Sequence, residues 1–322
     1  MIKLSVTSIV VIVLFNFSSC THKTNQNNST STAAKPQGVH AAFYNSNGSK
    51  IALSTDKGKL YVTNDTFGVL GEANAHEGRA NSCFFSLNDK YIITGGKDEV
   101  LNVWQAADMT LFKAYKFNLH AYTSVYGYNT LAACGLGGRV VLYDVPTNKK
   151  LDIVLDKKSA YHLYYIKPDS LLVVSAGLTG YEISATTGAI VHKYVGQTGQ
   201  TYCIMPSNSK SFVVTASADS LVRVFDRFSQ QLVYKSSRLD GQVFVASFNP
   251  NDKNVAASTS SGSIYILDST LTKVLLKIPA FKGRINTIHY SPDGLKILAG
   301  SEGGGAKIFS TAHGELLHEF KY

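Results

Sequence analysis

A pattern that repeats about every forty residues runs through most of this 322-residue chain. Each of seven units begins with an apolar strand pattern, and three further short strand patterns follow, separated by turns rich in Gly, Asp and Ser. We place the ends of the first strands at Phe43, Phe85, Tyr128, Ile166, Met205, Phe248 and Tyr290. Short strands in a period of this length are typical of a propeller. The sequence therefore predicts an all-β fold, a seven-bladed β-propeller of four-stranded antiparallel blades over residues 39–322.

Length alone would suggest about two domains. The repeat overrides that expectation, because propeller blades bury their faces only against neighbouring blades and so form one unit. A hydrophobic content of 44%, with 18 Tyr and 16 Phe, is sufficient for a core and favours strands. The last repeat has all four strand patterns, so we expect the ring to close by packing of the seventh blade against the first, without a shared blade.

The formal net charge is +9, but the basic residues are scattered. Lys149-Lys150 and Lys157-Lys158 are the adjacent basic pairs, whereas nucleic-acid binders usually cluster their basic side chains. Lysines at solvated blade edges also discourage pairing between sheets. We therefore expect no nucleic-acid partner.

The first twenty residues have the organisation of an export signal. Lys3 is followed by the mostly apolar stretch Leu4–Phe15 and then by small residues that lead to Cys20. Twelve residues at about 1.5 Å each cannot cross a hydrocarbon layer of about 30 Å, so a permanent membrane span is not expected. Residues 1–19 are predicted to be a signal peptide.

Cys20, preceded by two serines, resembles the lipidation site of bacterial lipoprotein signal peptides. In that family the cysteine is diacylated and becomes the mature N-terminus, and a residue such as Thr21 after it points to the outer membrane. Residues 20–38 lack bulky apolar side chains and are predicted to be the lipidated cysteine with a flexible tether. The resemblance implies a lipid anchor in the bacterial cell envelope, at the outer membrane and facing the periplasm. The alternative is an ordinary signal peptide with an incidental cysteine.

The second unit carries a more specific resemblance. It has a histidine before its first strand, a small-residue second strand, an Asp in the following turn and a Trp near the end of its third strand. This order is similar to a WD40 repeat, in which four such positions form a hydrogen-bonded tetrad. The resemblance assigns the structural tetrad to His76, Thr94, Asp98 and Trp104. In WD40 repeats the third strand ends in Trp-Asp, and the second unit has Trp104-Gln105 at these two positions. The other units have Thr63-Asn64, Tyr143-Asp144, Ile183-Ser184, Phe225-Asp226, Leu267-Asp268 and Phe309-Ser310.

Three further cysteines, Cys83, Cys134 and Cys203, lie in apolar strand patterns. Their number is odd and their spacing fits no zinc site, so we expect buried free thiols, with one chance pairing left open. No catalytic constellation stands out: the histidines form neither HxH nor HExxH, and there is no GxSxG. We expect no catalytic residues, no metal and no cofactor.

One column of the repeat suggests a binding surface. Gly-Arg or Gly-Gln precedes the first strand in four units, and Tyr122 occupies this place in the third. Since the first strand is innermost in a blade, these residues should ring the mouth of the channel. The candidate partner-binding rim comprises Arg79, Tyr122, Gln200, Gln242 and Arg284. It is expected to bind a peptide, an acidic protein loop or a carboxylated glycan. The alternative is that glycine serves the turn and the polar side chains only solvate the channel.

These features favour one function over another. The favoured function is a non-enzymatic protein-interaction scaffold, exported and lipid-anchored, with a protein or peptide partner. The alternative is a propeller enzyme, or a sensor of a small ligand or glycan, that uses the central channel. Propeller enzymes need metal ligands or stacking tryptophans near the axis, and the single Trp104 is assigned to an outer strand.

Overall fold

A computed structural model describes residues 38–321. These residues form 28 strands and one short 3-10 turn, Leu136–Gly138. The strands make seven antiparallel sheets of four strands each, in chain order. The predicted seven-bladed propeller is therefore confirmed. The predicted signal peptide (1–19), Cys20 and the tether up to residue 37 lie outside the described residues.

The four strands of each blade are called a to d. Strand a is, blade by blade, β1 (Val39–Tyr44), β5 (Ala80–Phe85), β9 (Ala121–Tyr126), β13 (Ala160–Lys167), β17 (Thr201–Pro206), β21 (Val243–Phe248) and β25 (Ile285–Tyr290). Strand b is β2 (Lys50–Thr55), β6 (Tyr91–Gly96), β10 (Thr130–Gly135), β14 (Leu171–Ala176), β18 (Phe212–Ser217), β22 (Asn254–Thr259) and β26 (Lys296–Ser301).

The outer half of each blade is strands c and d. Strand c is β3 (Lys59–Asn64), β7 (Val100–Gln105), β11 (Arg139–Asp144), β15 (Thr179–Ser184), β19 (Val222–Asp226), β23 (Ser263–Asp268) and β27 (Gly305–Ser310). Strand d is β4 (Val69–Asn74), β8 (Leu111–Lys116), β12 (Lys149–Val154), β16 (Ile190–Tyr194), β20 (Leu232–Lys235), β24 (Val274–Pro279) and β28 (Leu316–Phe320).

Strand a is the innermost strand, since it packs against strand a of both neighbouring blades. The amino-acid composition of each strand depends on its position in the blade. Strand b is small and apolar, as in β10 (TLAACG), where all six residues are buried, because it lies between two other blades. Strand d faces solvent and carries most of its lysines on an exposed surface, as in β8 (LFKAYK). The core therefore lies between the blades.

The three cysteines of the propeller lie in this core. Cys83, Cys134 and Cys203 are free and buried, as expected. Burial raises the pKa of Cys83 and of Cys203 to about 12. These thiols remain protonated at neutral pH and serve as small apolar side chains.

The ring closes between the seventh and first blades. Strands β25 to β28 form the whole seventh sheet in the described part of the chain. Asn286 Nδ2 donates to Val39 O over 3.1 Å, and Lys296 Nζ lies 3.0 Å from Asp65 Oδ2. Gly38 packs against the backbone of Glu302 so closely that a Cβ would lie 2.4 Å from its carbonyl oxygen. Within residues 38–321 the closure is thus by packing, as the sequence predicted.

Four of the predicted strand ends were wrong. Strand a begins every 39 to 42 residues, and its equivalent sixth positions are Tyr44, Phe85, Tyr126, Tyr165, Pro206, Phe248 and Tyr290. The predictions at Phe43, Ile166 and Met205 differ from these by one residue, and Tyr128 differs by two. Tyr128 lies in the following turn with 64% of its surface exposed. When the end of strand a is placed at the last large apolar residue, the prediction falls in the turn wherever the turn itself contains an aromatic residue.

Candidate binding site at the mouth of the channel

A β-bulge recurs in strand a of all seven blades. In each blade the pairing of strand a with strand b skips the second residue of strand a. A bulged residue has no partner in the ladder, and its side chain takes a new direction. The seven bulged residues, here called the rim ring, are His40, Asn81, Tyr122, Tyr161, Tyr202, Phe244 and Asn286. All seven line one cavity at the end of the channel where strand a begins, which we call the upper mouth.

One side of the rim ring is a continuous aromatic arc. The rings of Tyr122 and Tyr161 are stacked with centroids 4.9 Å apart, and Tyr161 meets Tyr202 edge-on at 5.3 Å. Tyr202 stacks on Phe244 at 4.6 Å, and the Arg284 guanidinium lies 4.9 Å from the Phe244 centroid. The arc therefore spans blades 3 to 6 and ends on a cation.

The other side of the mouth is polar and basic. Arg284 Nε donates to Asn286 Oδ1 over 2.7 Å. The carboxylate of Glu302, in the b–c turn of blade 7, lies 3.3 Å from Arg284 Nη2 and 3.7 Å from Arg79 Nη2. Two guanidinium groups from different blades thus meet beside one side-chain carboxylate.

The cavity of the upper mouth has a volume of about 450 Å³, within the usual range for ligand sites. Phe43 and Phe84 line its deep end with ring centroids 3.8 Å apart. His40 lies beside the two arginines, and burial together with the positive charges of Arg79 and Arg284 lowers its pKa to about 3. His40 is therefore neutral, and the positive charge of the mouth comes from the arginines.

The predicted rim residues do not all reach this cavity. Arg79, Tyr122, Gln242 and Arg284 line it. Gln200 lies apart from the lining, and its amide donates to Ser159 O over 3.4 Å and to Thr201 O over 3.3 Å. It therefore bonds to backbone at the junction of blades 4 and 5.

The sequence reasoning missed three aromatic members of the rim ring: Tyr161, Tyr202 and Phe244. All three are second residues of strand a, one or two positions after the column from which the rim was predicted, that of the residues before the first strand. When the repeats are aligned on the observed strands, the second residues of strand a read His, Asn, Tyr, Tyr, Tyr, Phe and Asn from blade 1 to blade 7. This run of aromatic residues was the available signal.

The four residues assigned to the structural tetrad lie together in blade 2. His76 Nδ1 is 2.9 Å from Asp98 Oδ1, and His76 Nε2 is 2.9 Å from Thr94 Oγ1. Trp104 Nε1 donates to the same Thr94 oxygen over 3.0 Å. Burial lowers the pKa of His76 despite the opposing effect of Asp98. The neutral ring then donates from Nδ1 to the carboxylate and accepts the Thr94 proton at Nε2.

Blade 5 has a different arrangement at the equivalent positions. Gln197 Nε2 donates to Thr215 Oγ1 over 3.2 Å in place of the histidine. Asp219 accepts the Thr198 N–H over 2.9 Å and pairs with Arg223 at 2.8 Å, with both side chains 4% exposed. An ion pair within one blade thus replaces the histidine–aspartate contact.

Family models match two segments of the chain. The model described as WD domain, G-beta repeat matches residues 68–105, which contain all four tetrad positions. The model of the anaphase-promoting complex subunit 4 WD40 domain matches residues 201–291. These segments are WD40 repeats. With its seven four-stranded blades, the chain is a WD40 propeller.

Curated proteins similar to this WD40 propeller come from distant organisms. Periodic tryptophan protein 2 of Arabidopsis thaliana is 24% identical over 88% of this chain, and that of Saccharomyces cerevisiae is 26% identical over 48%. A WD repeat-containing protein of Synechocystis is 34% identical over 23% of the chain. These matches cover 35%, 19% and 22% of the relatives' own lengths. The chain therefore spans about a third or less of the length of these relatives.

WD40 propellers are typical protein-interaction scaffolds and generally bind protein partners. Across residues 38–321 no helix is long and apolar enough to cross a membrane. In the same residues no group of three His, Cys, Asp or Glu side chains is arranged to hold a metal ion. The upper mouth, with its arginines and aromatic arc, is the candidate site of this WD40 propeller.

Proposed function

We propose that this protein is an exported, lipid-anchored scaffold of a bacterial cell envelope that binds a protein partner at the upper mouth and performs no catalysis. The observation that carries the proposal is the composition of the mouth, where two arginines and a four-ring aromatic arc surround one cavity. Tyr and Arg are among the residue types that contribute most to binding energy at protein interfaces.

The geometry favours binding over simple solvation of the channel. A rim that only solvated the channel would need polar side chains, yet Tyr161, Tyr202 and Phe244 place aromatic carbon at the mouth. These rings are held by stacking and by the bulges, so little side-chain freedom is lost when a partner binds. A preformed surface of this kind is suited to recognition.

The binding proposal is tested with Arg79→Ala combined with Arg284→Ala. We expect this variant to lose capture of partner proteins from membrane extracts while its thermal midpoint stays close to that of the wild type, because both side chains are about 40% exposed. The matched control removes two cations from the outer strands, with Lys193→Ala and Lys235→Ala. Capture that survives the arginine changes would refute the proposal.

The anchoring proposal rests on the pattern of the first residues: a signal peptide at 1–19, lipid on Cys20 and a tether up to residue 38. Two or more acyl chains give stable membrane attachment, whereas one chain gives marginal binding. Cells grown with an alkyne-tagged fatty acid should label the wild type and Ser29→Ala but not Cys20→Ala. Cys20→Ala should also leave the membrane fraction. Equal labelling of Cys20→Ala would disprove lipidation at this position.

A further inference from the structure

We propose that the upper mouth recognises a carboxylate of an acidic peptide segment, and that Glu302 occupies the same arginine pair until the peptide displaces it. This inference rests on the proposed function, because it specifies the chemistry of the partner and an internal competitor at the same site.

The charge of the cavity favours an anionic occupant. Its lining includes Arg79 and Arg284 and no acidic side chain. His40 and His162 add no charge, because burial lowers the pKa of both imidazoles, and the remaining polar members are amides and hydroxyls. An occupant that carries a carboxylate gains charge-assisted hydrogen bonds to the guanidinium groups, which are stronger than bonds between neutral groups.

Glu302 holds the arginines weakly. Charge-assisted N–H···O bonds usually measure about 2.7–2.9 Å, whereas Glu302 lies 3.3 and 3.7 Å from the two guanidinium groups. The side chains of Arg79, Arg284 and Glu302 are 44%, 39% and 47% exposed, and exposed ion pairs contribute little stability. A carboxylate that enters with a larger contact surface can therefore replace Glu302.

The turn that carries Glu302 offers little resistance to its departure. Glu302 is followed by Gly303, Gly304 and Gly305, and glycine gives the backbone the widest range of conformations. A Cβ added at Gly303 would meet no neighbouring atom, so this part of the turn has open space around it. The Glu302 side chain can therefore leave the arginines while the backbone of the turn keeps its contacts with Gly38 and Phe281.

The aromatic arc favours a peptide over a glycan. Sugars stack on exposed ring faces, but here Tyr122 and Tyr161 cover one another and Tyr202 and Phe244 do likewise. Arg284 lies over Phe244 as well. The arc presents ring edges, which carry partial positive charge, and tyrosine hydroxyls. Such edges suit the carbonyl groups and short side chains that flank an acidic residue in a peptide.

The test uses peptide selection on the immobilised full chain. One display library of random twelve-residue peptides is tethered through its C-terminus, and a second is tethered through its N-terminus so that a terminal carboxylate is free. We expect enrichment of Asp or Glu at one position in the first library, or of peptides that require the free C-terminus in the second. Neither enrichment should occur on Arg79→Ala/Arg284→Ala. Selection without either carboxylate preference overturns the inference.

The competitor is tested with Glu302→Gln, which keeps the size of the side chain and removes its charge. The best selected peptide should bind this variant about three- to tenfold more tightly than the wild type in a fluorescence polarisation titration. The control, Glu315→Gln, alters an exposed acid elsewhere in blade 7 and should leave the affinity unchanged. Unchanged or weaker binding by Glu302→Gln rules out displacement.

A third arm distinguishes a glycan from a peptide. Oligogalacturonate is titrated into the full chain by calorimetry, and we expect no saturable binding; binding of this probe in the absence of a peptide preference would overturn the inference. If extract capture depends on the arginine pair but no carboxylate preference appears, this inference fails and the proposed function stands. If capture does not depend on the arginines, the proposed function fails.

Discussion

His76 Nδ1 lies 2.9 Å from Asp98 Oδ1, and this contact joins the d–a loop of the first repeat to the b–c turn of the second blade. The carboxylate also accepts the Glu77 N–H over 3.1 Å. The His76 side chain is fully buried. Every polar atom of the ring is satisfied, so the loop is held at a fixed position before strand β5 begins.

Asp98→Ala removes the acceptor of three N–H groups, those of His76, Glu77 and Val100. We expect a loss of about 1–3 kcal/mol in the free energy of unfolding, because the buried His76 N–H is left unsatisfied. Urea unfolding measures this loss. Asp108→Ala, which affects a carboxylate bonded locally to Thr110 in the same blade, is the control and should cost much less. Equal losses in the two variants would contradict a role for the tetrad in stability.

Asp219→Ala in blade 5 should be more damaging. It leaves Arg223, which is 3% exposed, as an uncompensated buried charge, for which a cost of about 3–5 kcal/mol is typical. Adding Arg223→Met should restore part of the lost stability, since an apolar side chain can occupy the same buried site without an uncompensated charge. A double-mutant cycle in urea measures the coupling. Strict additivity of the two changes would show that the pair is not coupled.

Acid should weaken the propeller through the histidines of its channel. Burial lowers the pKa of His162 and of His289 to about 4, and that of His40 is about 3. In the unfolded chain a histidine titrates near 6.5, so below that pH the unfolded state binds more protons than the folded state. Stability is therefore lost as the pH falls from about 6.5 towards 4. At pH 5 each buried histidine costs up to about 2 kcal/mol.

His162→Gln isolates one of these contributions. His162 Nδ1 donates to Ile204 O over 3.0 Å, and a glutamine amide retains a donor without titrating. The difference in unfolding free energy between pH 7 and pH 5 should be smaller in this variant than in the wild type. His313→Gln, at an exposed turn position, serves as the control. An unchanged pH dependence in His162→Gln would be inconsistent with the buried neutral ring.

Asp169 links blade 4 to blade 3 from the opposite face. It lies in the a–b turn with φ of 54°, and its carboxylate accepts the N–H groups of Tyr128, Asn129 and Thr130. Asp169→Ala should destabilise the protein by about 1–3 kcal/mol, because three backbone donors lose their acceptor and alanine tolerates positive φ poorly. Asp169→Asn keeps an acceptor oxygen and should cost less. Thermal unfolding compares the two, and equal midpoints would argue against the link.

The outer strands could be read from the sequence with good accuracy. The Trp104-Gln105 pair and its six counterparts are the last two residues of strand c in every blade. This pair can be recognised in the sequence because its first residue faces the packed blade interior, which favours an apolar side chain. Its second residue begins a turn, which favours a polar one. Of the four tetrad residues, Trp104 lies in this column, and the other three were assigned from their order in the same repeat.

The inner strands were harder to place. Their turns contain large apolar residues such as Tyr128, so hydrophobicity alone does not mark where strand a ends. The predicted rim consequently lay one or two residues too early in several blades, and it lacked Tyr161, Tyr202 and Phe244. Bulges leave no fixed residue type in a sequence: the bulged positions here hold His, Asn, Tyr and Phe.

The number of blades, the order of their strands and the tetrad of blade 2 depend on local period and turn chemistry, so they can be derived from the amino-acid sequence. The side chains at the mouth of the channel are brought together by contacts between blades, which the sequence does not reveal. Arg79 and Arg284 are 205 residues apart in the chain, and closure of the ring places both beside Glu302. The aromatic arc likewise forms because the bulges of blades 3 to 6 each turn one aromatic residue towards the mouth.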